Sequence, residues 1–180
     1  ALEQTEAGPI YLGYRLGHLE NDSRVFRALV YNKAAVVLHM LRRMAGDERF
    51  FAGLRRFYEQ SMFEKTGTEE FRRVMERETG LNLERFFERW IYGFGVPAIR
   101  VSHAVEANPD GTSAVVVTAE QEGPVYDLPI TVEIALANGT VQEAVLALTA
   151  ATGELRVPVE GRVTRVTVDS DSAALARFLR

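Results

Sequence analysis

The chain has 180 residues, 47% of them hydrophobic and 26% charged, with a formal net charge of −4. That suffices for one good core or two small ones in a soluble globular protein, and it lacks the basic balance of a nucleic-acid footprint. There is no cysteine, which removes disulfides, thiol catalysis and thiolate metal sites, and no apolar run approaches the ~20 residues that span a bilayer.

Ala1 to Gly8 is polar, carries no signal-peptide pattern and is not opened by a methionine, so it reads as a cut end. From there the hydrophobic period is helical as far as about residue 97, then switches to alternation and short β-branched runs. The reading is therefore α+β in two parts: a helical part over 1–97 and an antiparallel β-sandwich, Ig-like, over 98–180.

Four helices are expected in the first part. The first runs from about Val25 to Met44. Its middle, Ala34 to Leu38, is apolar on every side, which predicts burial all round. Gly46 ends it. Asp47 is placed to cap the second, whose stripe is Phe50, Phe51, Leu54, Phe57 and Tyr58. Thr68 is placed to cap the third, with Glu69 and Glu70 against the positive end of its dipole and Gly80 closing it. Asn82 is placed to cap the fourth, with Leu83, Phe86, Phe87, Trp90 and Ile91 facing inward. Gly93-Phe94-Gly95-Val96-Pro97 is too short and apolar for a free linker. Its apolar members and Ile99 are expected to be buried where the two parts pack together.

The second part reads as six or seven strands: Ile99 to Val105, Ser113 to Ala119, Leu128 to Leu136, Val141 to Leu148, Glu154 to Val159 and Val163 to Val168. Asn108-Pro109-Asp110-Gly111 and Asn138-Gly139 are the turn signals, the latter that of a two-residue hairpin. Leu128, Ile130, Val132, Ile134 and Leu136 fall on one face. Turns every 8 to 12 residues with no helices between argue for a sandwich.

Chemistry is sparse. The three histidines, His18, His39 and His103, include no i, i+4 pair, so a helical two-histidine zinc motif is absent. His39 reads as a core or capping histidine, and nothing brings the three together. There is no phosphate loop and no G-x-S-x-G elbow. One triplet stands out: Tyr31, Asn32 and Lys33 place a phenol, an amide and an ammonium beside five small or aliphatic residues. Burying all three unpaired would cost several kcal/mol; the alternative is that this turn is exposed and the next one is not.

The run Val30-Tyr31-Asn32-Lys33-Ala34-Ala35-Val36-Val37-Leu38-His39-Met40-Leu41 resembles the V-Y-E-K-G-A segment of aminopeptidase N family zinc metallopeptidases (gluzincins). The resemblance continues through Gly46 to Phe51, Thr68 to Phe71, Gly80 to Leu83, Phe86-Phe87, Trp90-Ile91 and Gly95-Val96-Pro97, in family order, over roughly residues 8 to 105. It implies that the chain is the C-terminal part of a zinc-dependent aminopeptidase, cut after the H-E-x-x-H region, followed by that family's β-sandwich. It also implies a role for Tyr31: donating its phenol proton to the oxyanion formed when metal-activated water attacks a peptide carbonyl. Such a donor is worth about 10²–10³ in rate, and a phenol with a pKa near 10 stays protonated at neutral pH. Asn32 stands where the family commonly has glutamate, and Ala34 where it has glycine; neither touches the phenol.

The zinc ligands and general base of that family are absent from this sequence, so the isolated chain is expected to bind no zinc and to be inert. Zinc and the peptide substrate belong to the full-length parent. No nucleic-acid partner and no membrane segment are expected. The pocket for the substrate's N-terminal amine is built upstream in that family, so no substrate-binding residue is assigned here. The rival reading is a non-catalytic scaffold or binding protein descended from the same family.

Overall fold

A computed structural model of the chain describes residues 9–12, 26–107 and 112–179. His18, Val25 and the Asn108–Gly111 turn signal lie outside the described residues. Contacts divide the chain into two compact units, Ala1–Gly95 and Val96–Arg180. The fold class read from the sequence holds: a helical part precedes two sheets that are antiparallel but for one short pair.

The helical unit opens with a short 3₁₀ turn, Ile10–Leu12, and a π-helical segment, Arg27–Lys33. Then come α1 (Ala34–Ala45), α2 (Asp47–Ser61), α3 (Thr68–Thr79) and α4 (Glu84–Phe87), the last running on into a second π-helical segment, Glu88–Tyr92. Leu29, Val37, Met40, Leu41, Phe50, Met75, Leu83, Phe86 and Trp90 are buried. α2 and α3 approach closely at Gly53, where an added Cβ would lie 2.5 Å from the Met75 sulfur.

Three local expectations change. α1 is not buried all round: Ala35 and Leu38 are exposed, continuing the exposed face begun at Tyr31. Positions 31, 35 and 38 follow i, i+4, i+7, one stripe of a helix, so an apolar sequence here has a dry side and a wet side. The α2 stripe splits for a related reason. Phe50 is buried, and Leu54 and Phe57 are half-buried, whereas Phe51 and Tyr58 are exposed, with the Arg42 guanidinium 5.2 Å above the Phe51 ring. The caps also shift by one residue. Asp47 and Thr68 are first helical residues after Gly46 and Gly67. The Asp47 carboxylate accepts from Arg42 Nε and Nη2 at 2.8 and 2.6 Å, and the α3 start is held by Glu70, which accepts the Gly67 N–H at 3.1 Å. Asn82 also stands one residue off, since Leu83 is the N-cap of α4, although the Asn82 side chain accepts the Glu84 N–H at 3.1 Å.

The second unit has strands β1 (Ala98–Ala107), β2 (Ser113–Glu122), β3 (Leu128–Leu136), β4 (Val141–Leu148), β5 (Thr152–Val159), β6 (Val163–Val168) and β7 (Arg177–Leu179). They form one sheet in the order β5-β2-β1-β7 and another in the order β4-β3-β6. β7 runs parallel to the start of β1, and no sequence pattern announced it. Val115 and Val117 of β2, Val132, Ile134 and Leu136 of β3, and Val157 and Val159 of β5 share one core cluster, which joins the sheets as a sandwich. Leu128, Ile130, Val132, Ile134 and Leu136 are all buried, as their alternation predicts.

The Asn138-Gly139 hairpin has a three-residue loop, not two. Leu136 N–H donates to the Thr140 carbonyl at 2.9 Å and Gly139 alone has positive φ (86°), the geometry of a type I turn closed by a left-handed residue. Pro97 and Ile99 are buried at the start of this unit, but Phe94 is 57% exposed, against expectation.

Candidate active site

Tyr31 sits in the π-helical segment Arg27–Lys33. Segments of this kind are rare and recur at functional sites, because the extra residue per turn re-aims side chains. The Tyr31 side chain is 63% exposed, with its ring edge-on to Phe26 at 5.9 Å. Among the described residues its hydroxyl has no hydrogen-bond partner.

Asn32 is also exposed, whereas Lys33 is only 3% exposed. Neither alternative for the triplet is met in full: the amide and the phenol are wet and the ammonium is dry. Residues two apart on a helix project from opposite sides, which is how the triplet separates. Lys33 Nζ donates to the Gly93 carbonyl at 3.4 Å, and burial pushes its pKa below the ordinary lysine value. Ala34 fits without strain; it is half-buried on the wall of an apolar cavity of about 410 Å³ whose lining also includes Val37, Leu38, Leu41, Phe71 and Phe87. Tyr31 is not among the residues lining that cavity.

A polar frame stands behind the second π-helical segment. Tyr92 Oη donates to Glu69 Oε1 at 2.8 Å. Arg72 donates to Glu69 at 3.0 and 2.9 Å and to Glu76 at 2.9 Å, and Glu76 in turn accepts the Leu83 N–H at 2.9 Å. Desolvation first, then the hydrogen bond to the Glu69 carboxylate, push the Tyr92 phenol up to about 12. The Arg72 and Tyr92 hydrogen bonds hold Glu69 below the usual glutamate range. The helical pattern placed Glu69 at a helix dipole and did not foresee this pairing.

Among the described residues no group of three His, Asp or Glu side chains could hold a metal. His39 is half-buried on α1 and His103 is exposed on β1. The described residues therefore do not form a zinc site by themselves. No helix of the described residues is long and apolar enough to cross a membrane.

Residues 5–90 match the peptidase family M1 domain. The matched stretch is just under half of the chain. It includes Tyr31, Lys33 and the Glu69–Arg72–Glu76 frame. The chain is also similar to aminopeptidase N of Haemophilus influenzae, 29% identical over 146 residues, which cover 76% of this chain and 16% of that protein. It is 38% identical over 79 residues to transcription initiation factor TFIID subunit 2 of Saccharomyces cerevisiae, covering 39% of this chain and 6% of that one. Among solved structures its fold is similar to Legionella pneumophila aminopeptidase A in complex with aspartic acid, with a TM-score of 0.68 and 21% identity, over 87% of this chain and 18% of the other. The chain thus spans less than a fifth of the length of these relatives.

Proposed function

We propose that this chain is the C-terminal part of the catalytic domain of a zinc-dependent aminopeptidase, followed by an Ig-like β-sandwich, and that Tyr31 is its oxyanion donor. The observation that carries the reading is the exposed phenol of Tyr31, without a hydrogen-bond partner among the described residues, on a π-helical turn inside the stretch that matches the M1 domain. A hydrogen-bond donor helps catalysis when it is placed before charge develops and is not already spent on the protein. The Tyr31 hydroxyl fits the second condition, being on an exposed side chain with no hydrogen-bond partner among the described residues.

The described residues do not supply zinc ligands, so the ligands and the general base come from sequence outside them. Zinc, when bound there, activates water and polarises the peptide carbonyl. This chain's own part is the hydrogen bond from Tyr31 Oη to the carbonyl oxygen as it becomes negative. On this reading the isolated chain binds no zinc and is inert, and the full-length protein removes N-terminal residues from peptides. The test is the full-length protein on peptides with free and with acetylated N-termini. The reading expects release of the first residue from the free peptide only, loss on chelation and recovery with zinc. Cleavage that ignores the N-terminal amine or survives chelation would overturn it.

A second reading has one observation in its favour: the 38% identity to a protein named as a transcription initiation factor. Under it the parent is a non-catalytic scaffold, and a degraded H-E-x-x-H motif upstream of Ala1 would be its signature.

A further inference from the structure

Lys33 is the one residue of the Tyr31 triplet that the fold buries, and burial of an ammonium is costly unless something holds it. Its hydrogen-bond partner among the described residues is a backbone carbonyl, that of Gly93 at 3.4 Å. Gly93 follows the second π-helical segment at the end of the helix that began as α4. Helix C-termini expose carbonyls without intrahelical partners and carry negative partial charge, which suits a cation.

The acceptor is itself fixed. A Cβ at Gly93 would lie 2.7 Å from the Arg89 carbonyl oxygen and 2.9 Å from that of Glu88, so only glycine leaves the backbone where it is. The preceding residue, Tyr92, is tied through its hydroxyl to Glu69, and Glu69 to Arg72. Lys33 therefore fastens the end of one π-helical segment to the end of another that is independently anchored. Tyr31 stands two residues before the fastening.

We infer that Lys33 is a positioning residue for Tyr31: its buried ammonium, bonded to the Gly93 carbonyl, holds the π-helical turn in the one setting that aims the phenol. The inference rests on the reading of Tyr31 as oxyanion donor. It separates the two polar side chains by task, with the exposed one serving the reaction and the buried one keeping the turn from reverting to ordinary α-helix.

The experiment is a double-mutant comparison in the full-length protein: Tyr31→Phe, Lys33→Met and both together, with kcat, KM and Tm for each. Lys33→Met keeps the stem and removes the charge, so Tm should hold or rise. Turnover should fall at least about tenfold with KM little changed, because the phenol is misplaced. Added to Tyr31→Phe, it should lower turnover by less than about twofold more, since no phenol remains to aim. Should Lys33→Met not fold, Lys33→Gln carries the same comparison.

Unchanged turnover in the lysine variant, or a loss of equal size in both backgrounds, overturns the inference while leaving Tyr31's role intact. A lower Tm with normal turnover of the folded fraction overturns it too, reducing Lys33 to a structural group. Normal turnover in Tyr31→Phe alone overturns the reading beneath it and the inference together.

Discussion

The helical unit and the sandwich finish their surfaces differently. Among the described residues, eight of the ten exposed large apolar or aromatic side chains lie in the helical unit: Tyr11, Tyr31, Leu38, Phe51, Tyr58, Met62, Phe63 and Phe94. The sandwich contributes Val105 and Val141. Its β3 buries both faces over much of its length, and its buried polar groups are paired: Gln121 Nε2 donates to the Tyr126 and Ala150 carbonyls at 2.8 and 3.0 Å, while its Oε1 accepts the Tyr126 N–H at 3.1 Å. A sequence can thus specify an apolar face that its own fold leaves partly open. In the helical unit the period reports which residues are apolar, and the fold uses only part of that face for its own core.

That contrast can be broken or sharpened by substitution. The largest effect belongs to the helical core. Trp90 is fully buried, and Trp90→Ala should cost about 3–5 kcal/mol, read as an earlier loss of far-ultraviolet helical signal in urea. A loss under about 1 kcal/mol would mean that the helical unit has no firm core at all. Next comes the sandwich. Gln121→Leu fills similar space but strands three backbone groups, and should cost about 1–3 kcal/mol. The smallest effect is on the open face: Tyr58, 68% exposed, should tolerate Tyr58→Ser within about 0.5 kcal/mol in this chain. A clearly larger cost would show that this face is packed, and the two units would then be finished alike.

The strands were legible in the sequence because alternation has a period of two and a burial consequence at every step. Leu128 to Leu136 needed no tertiary knowledge. The short parallel strand Arg177–Leu179 was not legible, since three residues carry no period. The two π-helical segments were not legible either: Arg27–Lys33 and Glu88–Tyr92 have ordinary helix-forming composition, and the extra residue per turn answers to packing. At the candidate site the oddity of Tyr31-Asn32-Lys33 was visible, but which of the three is buried depends on Gly93, 60 residues away. The Tyr92–Glu69 pair is likewise a long-range meeting, 23 residues apart, that no local pattern signals.

That pair has its own pH signature. The folded-state pKa of Tyr92 is raised from 10.0 to about 12, so the folded protein holds the phenol proton more tightly than the unfolded chain. Its contribution to stability is full below the unfolded pKa and is lost as pH rises from there through the folded value. Urea midpoints measured below and above pH ~10 should show that loss, and Tyr92→Phe should reduce it. An identical alkaline slope in both proteins would put the ionising group elsewhere.

On the proposed reading Tyr31 Oη serves the transition state, and among the described residues it serves nothing in the fold. The direct measurement is turnover of the full-length protein carrying Tyr31→Phe, which removes one oxygen and keeps the ring against Phe26. The account predicts a fall of about 10² or more in kcat, with KM, zinc content and Tm nearly unchanged. Near-normal kcat in a folded, zinc-loaded variant would contradict it and leave Tyr31 as an exposed ring with no part in the chemistry.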